Sequence, residues 1–459
     1  MSSGNKHPYP LLITLGAIAG LAAISLGKPV VTAGHHTLRP MDIFADLRTP
    51  APVMEPVADI ALPAVADSAG GLDSLQRSPL PPRDYLTYQG ILDYGYTTGP
   101  SGSGLHHFME ALRELRTGSR KKVRIAYFGD SMIEGDLITM DLRDSLQSFF
   151  GGEGVGFVPA TSVVSGFRTT IAHSFSPNWT DYHFKNTPPA GVELGISGHA
   201  FVPSPESWVR FSPVKRQRLD EFGEVSILYG KGSGKVRIND RPADLQGIGK
   251  LNSYSFYTDS ATRSLTFKFP GDQPLPLYGV CFESREGIFL DNYSFRGISG
   301  VELGKLSSDM WKQVQSVRPY DLIVLHYGAN VLFMPENTRF DWYERPMEKV
   351  VDSLRRYFPQ SSFLIVGTAD KAYRKNGRYV TAPGVKALLK VQHEFAEEKG
   401  LAYWNLYSAM GGDGAMARWV EGEQALANKD YTHFNFRGAS KVGALLYKAI
   451  MDEYRQEAM

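Results

Sequence analysis

The chain has 459 residues, of which 42% are hydrophobic and 21% charged, ordinary values for a globular protein with buried cores. At this length we expect two folded units and some unfolded chain. The 49 basic and 48 acidic side chains give a net charge of +1, so no global field attracts nucleic acid, and no nucleic-acid partner is expected. The single cysteine, Cys281, excludes an intramolecular disulfide and a cysteine-based zinc site.

The N-terminus has the pattern of an export signal. Lys6 and His7 precede an uncharged stretch over residues 10–26, which is shorter than the roughly 20 residues of a comfortable transmembrane helix. The stretch fits the apolar region of a signal peptide, and Val31-Thr32-Ala33 is an acceptable cleavage site. We therefore predict a signal peptide or signal anchor over residues 1–33 and location in the periplasm or cell envelope. An uncleaved signal would tether the protein to the membrane through residues 10–26.

Residues 34–83 are rich in Pro, Ala, Asp and Ser and have few aromatic residues. Such a composition buries too little apolar surface to offset the entropy of ordering, so we predict a disordered linker. The first part of an α/β domain is predicted over residues 84–160. There a β-prone run, 123–128, ends at Gly129-Asp130-Ser131, and a helical pattern follows over 137–150.

The pattern changes over residues 161–289, where short alternating runs are separated by Gly, Pro, Asn and Asp. This predicts an inserted β-sandwich whose aromatic residues mainly form its core. Apolar strands then alternate with helices again over 290–459, which predicts parallel strands joined by crossover helices. The predicted fold class is α/β, with one parallel-sheet domain interrupted by a β-sandwich.

Ser131 is the first candidate catalytic residue, because it follows a buried strand on a tight turn before a helix. Ligands of α/β folds bind at the carboxyl edge of the sheet, where this serine is expected. Gly-Asp-Ser alone is a weak signal, since the tripeptide by itself favours Ser131 as a simple helix N-cap.

Asp430-Tyr431-Thr432-His433 supplies the partners that a nucleophilic serine requires. A hydroxyl becomes a good nucleophile when a base takes its proton, and neutral imidazole is the usual base near pH 7. A carboxylate three residues before the histidine can reach its second ring nitrogen when the segment is a loop that turns into a helix. In isolation, a surface pair that caps the next helix would be the commoner explanation.

Two further residues fit an oxyanion hole. Gly300 has no side chain to block its backbone N–H, and Asn330 closely follows the strand predicted over 322–326. Each donor aimed at a tetrahedral oxyanion stabilises the transition state by roughly 3 to 4 kcal/mol. Each residue alone also fits a turn or a strand-end cap. The informative feature is that Ser131, Gly300, Asn330, Asp430 and His433 occur in this order in loops or at strand ends.

With these residues the chain resembles the SGNH (GDSL-type) hydrolases, a family named for Ser, Gly, Asn and His in four sequence blocks. The matches are Gly129-Asp130-Ser131, Gly300, Gly328-Ala329-Asn330 and the segment from Asp430 to His433. The resemblance implies a three-layer α/β/α domain, Ser131 as nucleophile, His433 as base and Asp430 as its orienting carboxylate. It also implies an oxyanion hole formed by the Ser131 and Gly300 N–H groups and the Asn330 amide. Met132 and Val331 depart from the usual pattern, and Val331 leaves the local support of Asn330 open.

The inserted β region narrows the resemblance to peptidoglycan O-acetylesterases, in which a carbohydrate-binding-module-like domain interrupts the SGNH domain. The expected function is therefore an exported serine esterase that removes acetyl groups from an envelope glycan, with acetylated peptidoglycan as the expected partner and no cofactor or metal. The loop with Lys371, Tyr373, Arg374 and Lys375 is expected at the same sheet edge, either as a solvated charge cluster or in contact with substrate.

Four alternatives remain open at this point. An O-acetyltransferase would use the same residues but pass the acetyl group to a sugar hydroxyl. An acetylxylan-type esterase would act on another polymer. A glycan-binding scaffold would carry an inert site. A lipase or thioesterase is disfavoured by the size of the inserted region, and no Gly-x-Ser-x-Gly elbow supports an α/β-hydrolase.

Overall fold

The computed structural model describes residues 83–95, 104–271 and 275–456, together with two short strands, Val31–Ala33 and His36–Leu38. The chain divides into two units between Arg77 and Ser78. In the first unit, the two short strands pair antiparallel. Apart from these strands and Arg83, the predicted signal segment and linker lie outside the described residues. Within the described part of the chain, no helix has both the length and the apolar character needed to span a membrane.

A six-stranded sheet forms the centre of the second unit. Five of its strands are parallel, and the sixth, Ile91–Asp93, pairs antiparallel with the strand before it. In spatial order the strands are Gly287–Ser294, Lys122–Gly129, Leu322–His326, Ser362–Gly367, Ala402–Asn405 and Ile91–Asp93. The parallel strands are buried on both faces, as their continuous apolar runs predict.

Helices cover both faces of this sheet, and adjacent residues of each strand point to opposite layers. Ile125 and Tyr127 pack in one layer, whereas Ala126 and Phe128 pack in the other. The three-layer α/β/α fold class is therefore confirmed. The helices of one layer are Ser308–Val317, Asp341–Tyr357 and Pro383–Glu398. Those of the other are His106–Thr117, Thr139–Phe150, Leu406–Met410, Ala415–Glu421 and Phe436–Gln456.

Two antiparallel sheets interrupt this domain, as the change of hydrophobic pattern predicts. The first inserted sheet contains, in spatial order, Asn252–Tyr257, Glu224–Tyr229, Leu277–Glu283, His199–Pro203 and Trp179–His183, with Gly156–Pro159 paired to Leu277–Glu283. The second contains Arg241–Gly247, Gly232–Ile238, Leu265–Phe269, Ser207–Ser212 and Ala172–Phe175. Apolar residues from both sheets, among them Phe211, Ile227 and Phe282, form a common core.

The strand pairing places the limits of the insertion a few residues earlier than the predicted 161 and 289. Gly156–Pro159 pairs with an inserted strand, and Gly287–Ser294 pairs in parallel with the central strand Lys122–Gly129. The reason is that alternation along one strand does not show which sheet it joins. Gly156 has a φ of 70° and would place a side chain against the carbonyl of Leu290, so this close crossing requires glycine.

The inserted sheets are packed onto the α/β domain through apolar contacts. Phe157, Tyr278 and Cys281 of the first inserted sheet belong to the same buried cluster as Phe128 and Trp311 of the α/β domain. Cys281 is a buried residue of the inserted strand Leu277–Glu283. The insertion therefore shares a hydrophobic core with the domain that it interrupts.

Candidate active site

Three loops leave the central sheet at neighbouring positions of one edge. In the strand register, Gly129 stands between Ser294 and His326, and its carbonyl accepts a hydrogen bond of 3.0 Å from the N–H of Phe295. Because parallel strands have their carboxyl ends at the same edge, the segments that follow them start side by side. These segments carry Ser131, Gly300 and Asn330.

The structure brings Ser131, His433 and Asp430 into one hydrogen-bonded chain. Ser131 Oγ lies 2.9 Å from His433 Nε2, although 302 positions separate the two residues. On the other side of the ring, His433 Nδ1 lies 2.7 Å from Asp430 Oδ2. The Nδ1–H donates to this carboxylate, which leaves Nε2 to accept the proton of the serine hydroxyl.

The loop from Asp430 to His433 folds back on its own carboxylate. Oδ1 of Asp430 accepts the N–H groups of Thr432 and His433, each at 3.0 Å. Tyr431 takes a left-handed conformation, with a φ of 55°, which allows this tight return. The four residues from Asp430 to His433 are therefore sufficient to hold the carboxylate beside the imidazole ring.

The charges of this pair stabilise each other. The hydrogen bond that the His433 ring donates to Asp430 raises the pKa of His433 above its usual value, whereas burial of the ring acts in the opposite direction. Burial would raise the pKa of Asp430, but hydrogen bonds from the His433 ring and from two backbone N–H groups lower it to about 2. Asp430 is therefore ionised near neutral pH and stabilises an imidazolium on His433.

Asp130 orients the side chain of Asn330. The sequence motifs did not predict this contact. The Asn330 amide donates a 3.0 Å hydrogen bond to Oδ2 of Asp130, and the Met132 N–H donates to Oδ1 at 2.9 Å. Burial raises the pKa of Asp130 to about 6, although these hydrogen bonds oppose the rise. Asp130 is fully buried, so its carboxylate fixes the Asn330 amide beside the serine turn.

Gly300 begins a short 3₁₀ helix, Val301–Lys305, in a left-handed conformation with a φ of 98°. Its N–H donates to Oε2 of Glu302 at 3.1 Å, and the Ser299 N–H donates to the same oxygen at 3.0 Å. A substrate oxyanion that uses the Gly300 N–H must replace this carboxylate. The sequence analysis did not predict this role of Glu302. The feature that could have indicated it is an acidic residue two positions after the motif glycine.

The loop predicted around Lys371 is a β-hairpin, with strands Ala372–Lys375 and Arg378–Thr381. The sequence analysis did not use Asn376-Gly377, a favoured two-residue turn that predicts a hairpin. Lys371 is half-buried, and its Nζ donates to the carbonyl of Leu332 at 2.9 Å. Burial lowers the pKa of Lys371, whereas the charges of Asp430 and Asp130 oppose that change.

Among the other histidines, His326 and His199 have hydrogen-bond partners away from Ser131. His326 is buried, lies 3.0 Å from the Tyr127 hydroxyl through Nδ1, and has a pKa lowered to about 4 by burial. His199 Nδ1 lies 2.9 Å from Asp181 in the first inserted sheet. In the part of the chain that the structure describes, no three His, Cys, Asp or Glu side chains are grouped so as to hold a metal ion.

A cleft of about 430 Å³ lies between the turn after Ser131 and the inserted sheets. Glu134, Phe295 and Arg296 line it from the α/β domain, and His183 and His199 line it from the first inserted sheet. The His199 ring stacks on Phe295 with centroids 4.6 Å apart. The insertion therefore contributes side chains to a cavity adjoining the serine turn.

Comparison with solved structures agrees with this architecture. No protein-family profile matches the chain, and no curated protein matches its sequence significantly. The described fold is shared with a solved peptidoglycan O-acetylesterase, which confirms the fold that the motif resemblance implies. A solved peptidoglycan O-acetylesterase superposes with a TM-score of 0.66 at 21% identity, and the alignment covers 80% of this chain and 99% of that one.

Two other solved structures match only weakly. A lipase/acylhydrolase from Enterococcus faecalis aligns over 37% of this chain and 78% of that chain, with 19% identity and a TM-score of 0.26. A family two carbohydrate esterase from Clostridium thermocellum aligns over 61% of this chain and 98% of that chain, with 9% identity and a TM-score of 0.26.

Proposed function

We propose that this protein is an exported serine esterase that removes O-acetyl groups from a cell-envelope glycan, with peptidoglycan as the polymer. The observation that carries the proposal is the hydrogen-bonded chain from Ser131 through His433 to Asp430 at the carboxyl edge of the sheet. The fold match to a peptidoglycan O-acetylesterase includes nearly all of that enzyme, and it supports an ester of the same class as the substrate. Export rests on the sequence of residues 10–26.

The proposed reaction has two steps through an acetyl-enzyme. Ser131 Oγ bonds to the acetyl carbonyl carbon while its proton passes to His433 Nε2. The carbon–oxygen bond to the sugar then breaks, and Nε2 returns the proton to the departing sugar oxygen. Water adds to the acetyl-enzyme with His433 again as base, and acetate leaves with Ser131 restored.

The carbonyl oxygen becomes negatively charged in each tetrahedral intermediate. The N–H of Ser131, the N–H of Gly300 and the amide of Asn330 are the proposed donors to it. The hydrogen bond to Asp130 restricts rotation of the Asn330 amide. The Gly300 N–H donates to the Glu302 carboxylate until the substrate displaces that carboxylate.

Acetate release from O-acetylated peptidoglycan, acetylated xylan and p-nitrophenyl esters of increasing chain length tests this function. We expect Ser131→Ala to lower kcat by about 10⁴-fold or more, because the nucleophile is lost while the fold is kept. Ser226→Ala is the matched control, since this serine lies on the first inserted sheet and contacts the Ser255 hydroxyl. The proposal fails if Ser131→Ala keeps wild-type turnover.

The same assay separates the alternatives. Faster cleavage of long-chain esters than of acetylated glycans would make the protein a lipase. Transfer of acetyl groups to added glycan acceptors, in place of acetate release, would make it a transferase. Faster turnover of xylan than of peptidoglycan would change the polymer but leave the chemistry intact.

A further inference from the structure

The hairpin at residues 372–381 carries three cationic side chains that the reaction does not use. Arg374 and Lys375 end its first strand, Arg378 begins its second, and Lys375 and Arg378 are paired in the register. Asn376 and Gly377 have φ values of 50° and 79°, as a tight two-residue hairpin turn requires. We name Arg374, Lys375 and Arg378 the basic tip.

The hairpin is attached to the loop that carries the triad. The Ala372 N–H donates to the Tyr431 carbonyl at 3.1 Å. The Tyr379 ring stacks on the Tyr431 ring, with centroids 3.5 Å apart and an interplanar angle of 9°. Tyr431 stands between Asp430 and His433, so the hairpin is fixed to the loop that carries the triad.

Within the described residues, no acidic side chain forms an ion pair with the basic tip. All three residues are exposed, and none forms an ion pair there, whereas Lys121, Lys268 and Lys448 each lie within 3.1 Å of a carboxylate oxygen. From residue 361 to 390 the sole acidic residue is Asp370, which is buried. The tip is therefore a local concentration of positive charge on a chain whose net charge is only +1.

We propose that the basic tip binds carboxylates of the polymer whose acetyl ester occupies the active site, so that the substrate is an acidic glycan. This inference rests on the proposed function and deepens it. A single exposed ion pair contributes little, but three cations on one short hairpin act together on a repeating anion. The stack on Tyr431 favours the substrate polymer over an anionic membrane, because it fixes the hairpin to the triad loop.

The test compares one polymer with and without its negative charges. O-acetylated peptidoglycan is used untreated and after its carboxylates are amidated with glycinamide and a water-soluble carbodiimide at mildly acidic pH. We expect amidation to lower the wild-type kcat/KM by about tenfold, mainly through KM, and 1 M salt to have a similar effect on the untreated polymer.

The variant R374Q/K375Q/R378Q removes the tip charges and leaves Ala372 and Tyr379 in place. We expect its ratio of kcat/KM on untreated peptidoglycan to kcat/KM on p-nitrophenyl acetate to fall about tenfold, and its discrimination between the two polymers to disappear. K441Q/K448Q/R455Q, on the helix Phe436–Gln456, is the matched control with the same change of net charge. Its ratio should remain that of the wild type.

Three results would overturn the inference. They are equal wild-type turnover of the two polymers, the same loss in the control triple variant, and loss of binding to phosphatidylglycerol vesicles with unchanged polymer turnover. Cosedimentation with insoluble peptidoglycan in the Ser131→Ala background measures binding independently of catalysis. A protein without esterase activity would refute the proposed function, whereas charge-independent cosedimentation would refute the role of the tip.

Discussion

The Asn330 side-chain amide donates a 3.0 Å hydrogen bond to the buried Asp130 carboxylate, the residue directly before the nucleophile. Asp130 thus links the serine turn to the loop after the neighbouring strand. An amide fixed before substrate arrives needs no reorganisation when charge develops on the carbonyl oxygen. Asp130 is therefore a positioning residue for the oxyanion hole.

We expect Asp130→Ala to lower kcat with little change in KM, because the ground state does not use the alignment of Asn330. The loss should be smaller than the roughly 10²- to 10³-fold loss that removal of an oxyanion donor causes. Asn330→Ala, measured in parallel, sets that upper limit. A rise in KM at constant kcat would assign Asp130 to substrate binding.

The pH dependence of kcat/KM should report His433. The Asp430 hydrogen bond raises the pKa of His433 above 6.5, burial and the Lys371 charge lower it, and the Asp130 charge adds to the rise. The base must be neutral, so activity is lost as pH falls through this raised pKa, and the inflection lies above 6.5. In Asp430→Asn the inflection should move to lower pH, and kcat should fall by up to about 10⁴-fold. An unchanged inflection would show that Asp430 does not set the titration.

Gly300→Ala should destabilise the fold for two separable reasons. The φ of 98° disfavours any side chain, and a Cβ would come within 2.6 Å of the Tyr327 ring. We expect a loss of about 2 to 4 kcal/mol in the free energy of unfolding, measured by urea denaturation. Gly118→Ala is the control, because Gly118 has a φ of 78° but open space around its Cβ, so its cost should be about 1 to 2 kcal/mol. Equal costs would exclude the steric contact.

Arg318 joins the insertion to the α/β domain through buried charges. It binds Glu283, on an inserted strand, and Asp291, on the edge strand of the central sheet. Arg318→Met leaves these carboxylates without their shared cation, and we expect the free energy of unfolding to fall by about 3 to 5 kcal/mol in thermal or urea unfolding. Lys448→Met, which breaks the exposed pair with Asp452, should change it by less than about 1 kcal/mol.

The destabilisation caused by Arg318→Met should depend on pH. Burial would raise the pKa of Glu283, but the charges of Arg318 and Arg124 lower it below its usual value. A lowered pKa contributes stability above about pH 4.5, and this contribution is lost as the pH falls through the folded-state pKa. The difference between wild type and Arg318→Met should therefore shrink in acid. A constant difference down to low pH would contradict the assignment.

Strand positions were largely predictable, whereas strand partners were not. The predicted run 123–128 lies inside Lys122–Gly129, and the predicted 322–326 agrees with Leu322–His326. The strand Ile91–Asp93 was not predicted, because three residues show no periodicity of their own. The limits of the insertion moved for a related reason, since only pairing shows that Gly156–Pro159 joins the inserted sheet.

The sequence by itself determined which groups are available for chemistry. It also determined which of them can meet through a short stretch of chain. Asp430 and His433 are three residues apart, so a loop brings the carboxylate to the ring without help from the rest of the fold. Only the tertiary structure decided that Ser131 meets His433 and that the Asn330 amide binds Asp130. These two contacts join positions 302 and 200 residues apart. They exist because the order of parallel strands places distant loops at one edge, an order that local patterns do not encode.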